Sequence, residues 1–269
     1  NKLIIRWLAH RGGALDFQDF CLASPGKPYP LAIALGTDPA TMLGAVTPVP
    51  DSLSEYQFAG LLRGTKTEIV KCLSHDLQVP ARSEIVLEGF IYPGETALEG
   101  PFGDHTGYYT LKEPFPYGKV TAITSRKNPT FLATVVGKPP LEDKYLGYGT
   151  ERIFLPLLKT TAPDLLDYNM PENGVFHNLI IGKMKPHYPG HAEQFMHAFW
   201  GVGQMSFVKH ALFVDDKAPD LHDYEAITKY ILNRLCKETI LITRGVVDHL
   251  DHSANKQFVG GKLGIDATG

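Results

Sequence analysis

The hydrophobic pattern of this chain changes character once, near Gly137-Lys138-Pro139-Pro140, and that change limits the folds open to it. Before it, segments 67–72, 84–92, 117–125 and 130–136 carry β-branched and aromatic residues in partial alternation, separated by Pro, Gly and Asn clusters, and are predicted as strands. Further strands are predicted over 3–8 and 31–35, with helices over 14–23, from Asp38-Pro39 onward, and over 52–62. This part reads as an antiparallel sheet or barrel with inserted helices. After the change, helices (150–158, 191–200, 224–235) alternate with strands (175–183, 210–214, 239–242), which is the pattern of an α/β layer. The expected class is therefore α+β followed by α/β, divided into 1–136 and 137–269 with Pro139-Pro140 as linker.

Composition narrows the function classes. A chain of 269 residues with 43% hydrophobic content can bury a sizeable core, and its net charge of -3 is spread without a basic face, so a nucleic-acid partner is not expected. Cys21, Cys72 and Cys236 are odd in number and lack a C-x-x-C pair; they read as buried hydrophobes of a reducing compartment. No apolar run approaches the roughly 20 residues of a membrane span and the start lacks a signal-peptide pattern, which predicts a cytoplasmic protein. The chain runs from Asn1-Lys2 straight into a strand-like segment without an initiator Met, and is expected to be part of a longer polypeptide.

The chemistry-bearing stretch is Glu99-Gly100-Pro101-Phe102-Gly103-Asp104-His105-Thr106-Gly107-Tyr108-Tyr109. Pro101 and the glycines exclude a helix and predict a turn or bulged strand that can aim Glu99 and Asp104 into one pocket. Paired carboxylates in such a place suit acid–base work, because mutual repulsion or burial raises one pKa toward neutrality. Solvated turn-forming acids are the alternative. Other candidates also divide. Glu55 completes Ser52-Leu53-Ser54-Glu55, a capping box. His10 beside Arg11-Gly12-Gly13 could surround an anion or could be an idle turn residue. Lys209 stands where cations commonly close a helix. The pairs His187/His191 and His249/His252 offer metal-like spacing without a third ligand, and Gly260-Gly261-Lys262-Leu263-Gly264 lacks the phosphate-loop frame.

Several segments acquire a common meaning when taken in order: His10-Arg11-Gly12-Gly13-Ala14, Ala34-Leu35-Gly36-Thr37-Asp38-Pro39-Ala40, Ser54-Glu55-Tyr56, Gly60-Leu61-Leu62-Arg63-Gly64, Ile85-Val86-Leu87-Glu88-Gly89, the 99–109 block, and Leu263-Gly264-Ile265-Asp266-Ala267-Thr268. Together they resemble the UbiD family along essentially the whole chain. The resemblance implies a split β-barrel flavin-binding domain over 1–136 and a truncated α/β domain over 137–269 used for oligomerisation. It implies reversible decarboxylation of an aromatic acid with prenylated FMN, a divalent metal such as Mn2+, and K+. Asp104 would be the proton donor and acceptor, and Glu99 would orient an arginine lying, with a metal-binding Asn, upstream of Asn1. His10 and Glu55 match metal ligands, Ala45, Val46, Thr47 and Pro48 match a flavin-contacting loop, and Lys209 matches a phosphate-binding lysine. The nearest substrates would be 4-hydroxy-3-polyprenylbenzoate or a menaquinone-pathway precursor, with peripheral membrane association for so apolar a molecule, a homo-oligomeric enzyme, and a flavin prenyltransferase as cofactor supplier. Rival readings are a metal-dependent hydrolase using the histidines and a non-catalytic flavin-binding or assembly subunit.

Overall fold

The computed structural model describes every residue except His10, Arg11, Pro48, Pro50, Asp51, Ser52, Pro139 and Val202. The His10 and Pro48 assignments, the Ser52 end of the capping box and half of the Pro139-Pro140 linker thus lie outside the described residues. The chain forms two compact units, Asn1–Gly103 with Tyr109–Val135, and Asp104–Tyr108 with Val136–Gly269.

The first unit is built on a four-stranded antiparallel sheet of β1 (Lys2–Ile4), β2 (Tyr29–Leu35), β5 (Ile85–Glu99) and β6 (Glu113–Ser125) in the order β1-β6-β5-β2. The described strands leave β1 and β2 as edges, and the sheet does not close into a barrel. Helix α1 (Gly12–Ala23) follows β1; α2 (Pro39–Val46) and α3 (Glu55–Arg63) form a pair beyond β2; β3 (Ile69–Lys71) and β4 (Gln78–Pro80) make a small hairpin. Asp38 caps α2 by accepting from the Ala40 and Thr41 amides, with Pro39 at the first helical position, as the local sequence predicts. The same carboxylate takes the Arg63 guanidinium from the end of α3 at 2.8 Å, tying the two helices together. Strands β5 and β6 pair from Ile85↔Ser125 to Glu99↔Glu113, so the glycine-rich block is the loop of one long hairpin. Gly100 begins that loop at φ +87, a conformation that L side chains rarely adopt.

The predicted 130–136 strand is not formed. Phe131, Leu132 and Val135 are exposed and the segment finds no strand edge among the described residues, so its alternation has no ladder to satisfy it.

The second unit is a three-layer α/β arrangement. Its five-stranded sheet has the order β10-β11-β9-β8-β7, from β7 (Leu165–Asn169), β8 (Leu179–Met184), β9 (His210–Val214), β10 (Ile240–Val246) and β11 (Val259–Ala267). Strand β9 is parallel to both β8 and β11, while β7 and β10 are antiparallel edges. Side chains alternate across the sheet. Ile180 and Phe213 join α4 (Glu142–Thr161) and α5 (His191–Trp200) in one core, whereas Ile181 and Val214 join α6 (Tyr224–Leu232) in another. Burial on both faces explains why β9 reads as a continuous apolar run. Strands β7 and β11 are absent from the sequence prediction, and α4 begins at Glu142 rather than at 150. Glycines at 260, 261 and 264 weaken the local strand signal, and β11 exists because β9 and β10 pair on either side of it.

All three cysteines are free, but only Cys72 is buried; Cys21 is partly accessible and Cys236 is exposed, which corrects the reading of all three as core residues. Among the described residues no helix is long and apolar enough to cross a membrane.

Candidate active site

Glu99 ends β5 opposite Glu113 at the start of β6, and two carboxylates facing each other across a ladder repel. Arg6 resolves the conflict. Ile5 donates to the Pro116 carbonyl at 2.9 Å, continuing the β1–β6 ladder, and the next residue sends its guanidinium Nη1 to Glu99 Oε2 at 2.5 Å and Nη2 to Glu113 Oε2 at 3.1 Å. The guanidinium centre also lies 4.8 Å from the Phe115 ring and 5.5 Å from Phe102. An arginine fork between two acids and two aromatic rings is rigidly held. The resemblance places the arginine partner of Glu99 upstream of Asn1, but the partner Glu99 has in this chain is Arg6. Its sequence signal is a charged residue inside the apolar run Leu3-Ile4-Ile5-Arg6-Trp7-Leu8.

Asp104 belongs to the second unit, with the rest of the loop tip. The tip is closed by hydrogen bonds from the Asp104 amide to the Tyr108 carbonyl (3.1 Å) and from the Gly107 amide to the Asp104 carbonyl (3.0 Å). Asp104 is 8% exposed and its carboxylate accepts from the His105 amide at 2.8 Å, and His105 Nδ1 stands 3.0 Å from the same oxygen. That imidazole also lies 3.4 Å from Asp143 Oδ2, and its Nε2 is 3.1 Å from His177 Nε2.

The electrostatic outcome reverses the expectation for Asp104. Burial pushes its pKa upward, but the His105 hydrogen bonds and charge outweigh burial, and the carboxyl is held below its ordinary value. For His105, burial disfavours the charged ring, yet the hydrogen bond to Asp104 and the charges of Asp104, Asp143 and Asp248 raise its pKa. The proton of this pair therefore rests on the imidazole. The neutral Asp104 expected from a neighbouring Glu99 is not found, because the neighbour that matters is His105, one residue away.

The remaining candidates are scattered over local structure. Ala45 and Val46 form the exposed end of α2, and Thr47 caps it, its hydroxyl donating to the Leu43 carbonyl at 2.5 Å. Glu55 is the first residue of α3, and the capping side chain is Ser54, which accepts from the Tyr56 amide at 3.2 Å. Glu55 is thus two positions too early for the capping-box role, and its carboxylate is exposed. Lys209 precedes β9 and donates to Asp251 Oδ2 and Ser253 Oγ, each at 2.6 Å, on the wall of a cavity of about 490 Å³ that Asn178 and His210 also line. His187 and His191 share Asp164 at 3.0 and 3.7 Å. His249 approaches Gln257 and the His252 ring lies tilted, 5.0 Å from that of Tyr108, and neither belongs to a trio of metal-type ligands among the described residues.

The sequence pattern of the UbiD 3-octaprenyl-4-hydroxybenzoate carboxy-lyase Rift-related domain matches residues 1–139, and that of the UbiD C-terminal domain matches residues 144–267. The chain belongs to the UbiD family. An uncharacterised protein of Helicobacter pylori (strain ATCC 700392 / 26695) is 52% identical over 268 residues, which is 100% of this chain and 43% of that protein. The chain thus spans about 43% of the length of this curated relative. The closed form of vanillic acid decarboxylase from Sedimentibacter hydroxybenzoicus superposes with a TM-score of 0.89 at 30% identity, over 99% of this chain and 56% of that one. The UbiD-class enzyme HmfF from Pelotomaculum thermopropionicum in complex with FMN gives 0.85 at 28%, over 99% and 59%. An evolved dimeric form of the same enzyme in complex with prFMN gives 0.81 at 27%, over 99% and 58%.

Proposed function

We propose that this chain carries the carboxylate machinery of a prenylated-FMN-dependent decarboxylase of aromatic acids. The observation that carries the reading is the Arg6–Glu99 ion pair on the hairpin whose loop bears the buried Asp104, hydrogen-bonded by His105. Support for the cofactor comes from FMN and prFMN in the HmfF structures, and support for the substrate class from the vanillic acid decarboxylase likeness. When bound, the prenylated flavin supplies an electron-accepting centre for the electron pair released as CO2 departs. Lys209 suits its phosphate: two ammonium protons are committed to Asp251 and Ser253, and the third remains for a phosphate oxygen at the cavity. Ala45, Val46, Thr47 and Pro48 would offer backbone to the flavin. Glu55, whose carboxylate does not cap its own helix, would hold a divalent metal such as Mn2+ together with His10, with K+ as a further cofactor ion.

The residues of the chain then divide the proton work. Asp104 accepts the proton of His105 Nδ1 and passes it to the ring carbon that has lost CO2; in carboxylation it takes that proton back. Arg6, fixed by Glu99 and Glu113, places a fixed positive charge at the base of the hairpin, which favours an anionic substrate there. A 4-hydroxy-3-polyprenylbenzoate or menaquinone-precursor acid, a flavin prenyltransferase supplying the cofactor, a cytoplasmic homo-oligomer and peripheral membrane contact complete the proposal. Units 1–136 and 137–269 would serve flavin binding and oligomerisation.

The test is CO2 release, or hydrogen–deuterium exchange at the ring carbon of an aromatic acid, by the whole protein produced with a flavin prenyltransferase. Asp104→Asn should lower both by at least about 100-fold, the low end of general acid–base contributions. Full activity in that variant would remove Asp104 from the reaction.

A further inference from the structure

The turn after β3 collects three side chains that the decarboxylase reading does not use. Cys72, His75 and Glu88 each offer a ligand atom, and these atoms lie within 4.8 Å of one another. Glu88 sits on β5 and is 2% exposed; Cys72 is 6% exposed. The turn is fastened to the strand by the Glu88 carboxylate, which accepts from the Leu73 amide (3.0 Å), the Ser74 amide (2.7 Å) and the Ser74 hydroxyl (2.8 Å). Two of those bonds fall on Oε2 and one on Oε1, so Oε1 keeps a lone pair.

His75 supplies the decisive detail. Its Nε2 lies 2.9 Å from the Leu31 carbonyl, and because a carbonyl only accepts, Nε2 bears the proton. Nδ1 is then a bare lone pair, buried and without a hydrogen-bond partner among the described residues. An unmet buried acceptor costs about 1–3 kcal/mol. A ring nitrogen donating to a backbone carbonyl while the other points at a ligand is the usual arrangement of a metal-bound histidine. Phe90 holds the ring edge-on at 5.6 Å.

We propose that Cys72, His75 and Glu88 bind Zn2+, clamping the β3–β4 hairpin to the central strand β5. A thiolate, a carboxylate and a neutral imidazole cancel the charge of a divalent ion, so the buried site carries no net charge. The mixed sulfur, nitrogen and oxygen set suits zinc, with water in the fourth position. Bonds of about 2.0–2.3 Å put tetrahedral ligands about 3.3–3.8 Å apart, so atoms already within 4.8 Å of one another need to close by no more than about 1.5 Å on binding. The Cys72 S–H bond breaks, its proton goes to solvent, and the sulfur lone pair forms the Zn–S bond.

The site is read with Co2+ as a zinc analogue, added to the purified metal-free protein. One equivalent should produce a thiolate-to-cobalt charge-transfer band in the near ultraviolet, displaced by Zn2+. Cys72→Ser should abolish the band, Cys236→Ser should retain it, and His75→Gln should weaken Co2+ binding at least about 10-fold. Cobalt at a site of oxygen and nitrogen ligands, such as His10 with Glu55, gives no such band. Absence of the band in the wild type, or its survival in Cys72→Ser, overturns the proposal. If circular dichroism shows Cys72→Ser unfolded, unchanged affinity in His75→Gln does so instead.

Discussion

Replacing His105 by glutamine tests the electrostatics of the loop tip directly. The change removes the imidazole 3.0 Å from the Asp104 carboxylate and 3.1 Å from His177, while the main-chain amide that donates to Asp104 at 2.8 Å remains. Asp104 is 8% exposed, so solvent replaces the lost partner poorly. A hydrogen bond to a charged group contributes about 1.5–3 kcal/mol, and about 2 kcal/mol is the expected loss of stability at pH 6. The pH dependence is the sharper result. His105 has a folded pKa above its ordinary value, so its contribution is complete below about pH 6.5 and disappears as pH rises through the folded value. Asp104 has a folded pKa below its ordinary value, so its contribution is present above about pH 3.9 and lost as pH falls through the folded value. Urea unfolding of both proteins at pH 6 and pH 9, followed by circular dichroism, should therefore show a difference that shrinks toward pH 9. A difference that is the same at both pH values, or larger at pH 9, refutes the assignment of the proton to the imidazole.

Three further changes probe other parts of the molecule. Arg6→Lys keeps the charge but loses the fork that spans Glu99 and Glu113; a stability loss of about 1–2 kcal/mol in urea is expected, with a larger proportional loss of decarboxylation. Gly89→Ala would place a Cβ 2.3 Å from the Lys119 carbonyl oxygen at the β5 bulge, backbone against side chain, and should cost about 1–3 kcal/mol or more by thermal melting. Lys262 is 4% exposed and its ammonium donates to the Ser206 and Val208 carbonyls at 2.7 Å, yet burial lowers its pKa to about 8. The unfolded chain then binds the extra proton between about pH 8 and 10.4, so stability should rise with pH there, by on the order of 3 kcal/mol, and Lys262→Met should flatten that rise.

The elements legible in the sequence are those whose cause is local. Asp38-Pro39 marks the start of α2, the apolar run at 210–214 is β9, and α5 occupies its predicted span, because capping, steric restriction and periodicity act over a few residues. The glycine and proline positions of 99–109 likewise exclude a helix and single out Glu99 and Asp104. Strand β11 was hidden, since a glycine-rich segment becomes a strand only where β9 and β10 offer edges, and 130–136 shows the converse, strand-forming residues with no edge to join among the described residues.

The chemistry of the carboxylates was decided at longer range. The sequence determines which acids exist, their spacing and the family to which the chain belongs. It leaves open that Glu99 is held by Arg6, separated from it by 93 positions, and that Glu113 faces the same pair. It also leaves open the direction of the Asp104 pKa shift. Burial and hydrogen bonding act on a carboxylate with opposite signs, and only the three-dimensional arrangement of His105 and His177 around the loop tip settles which prevails.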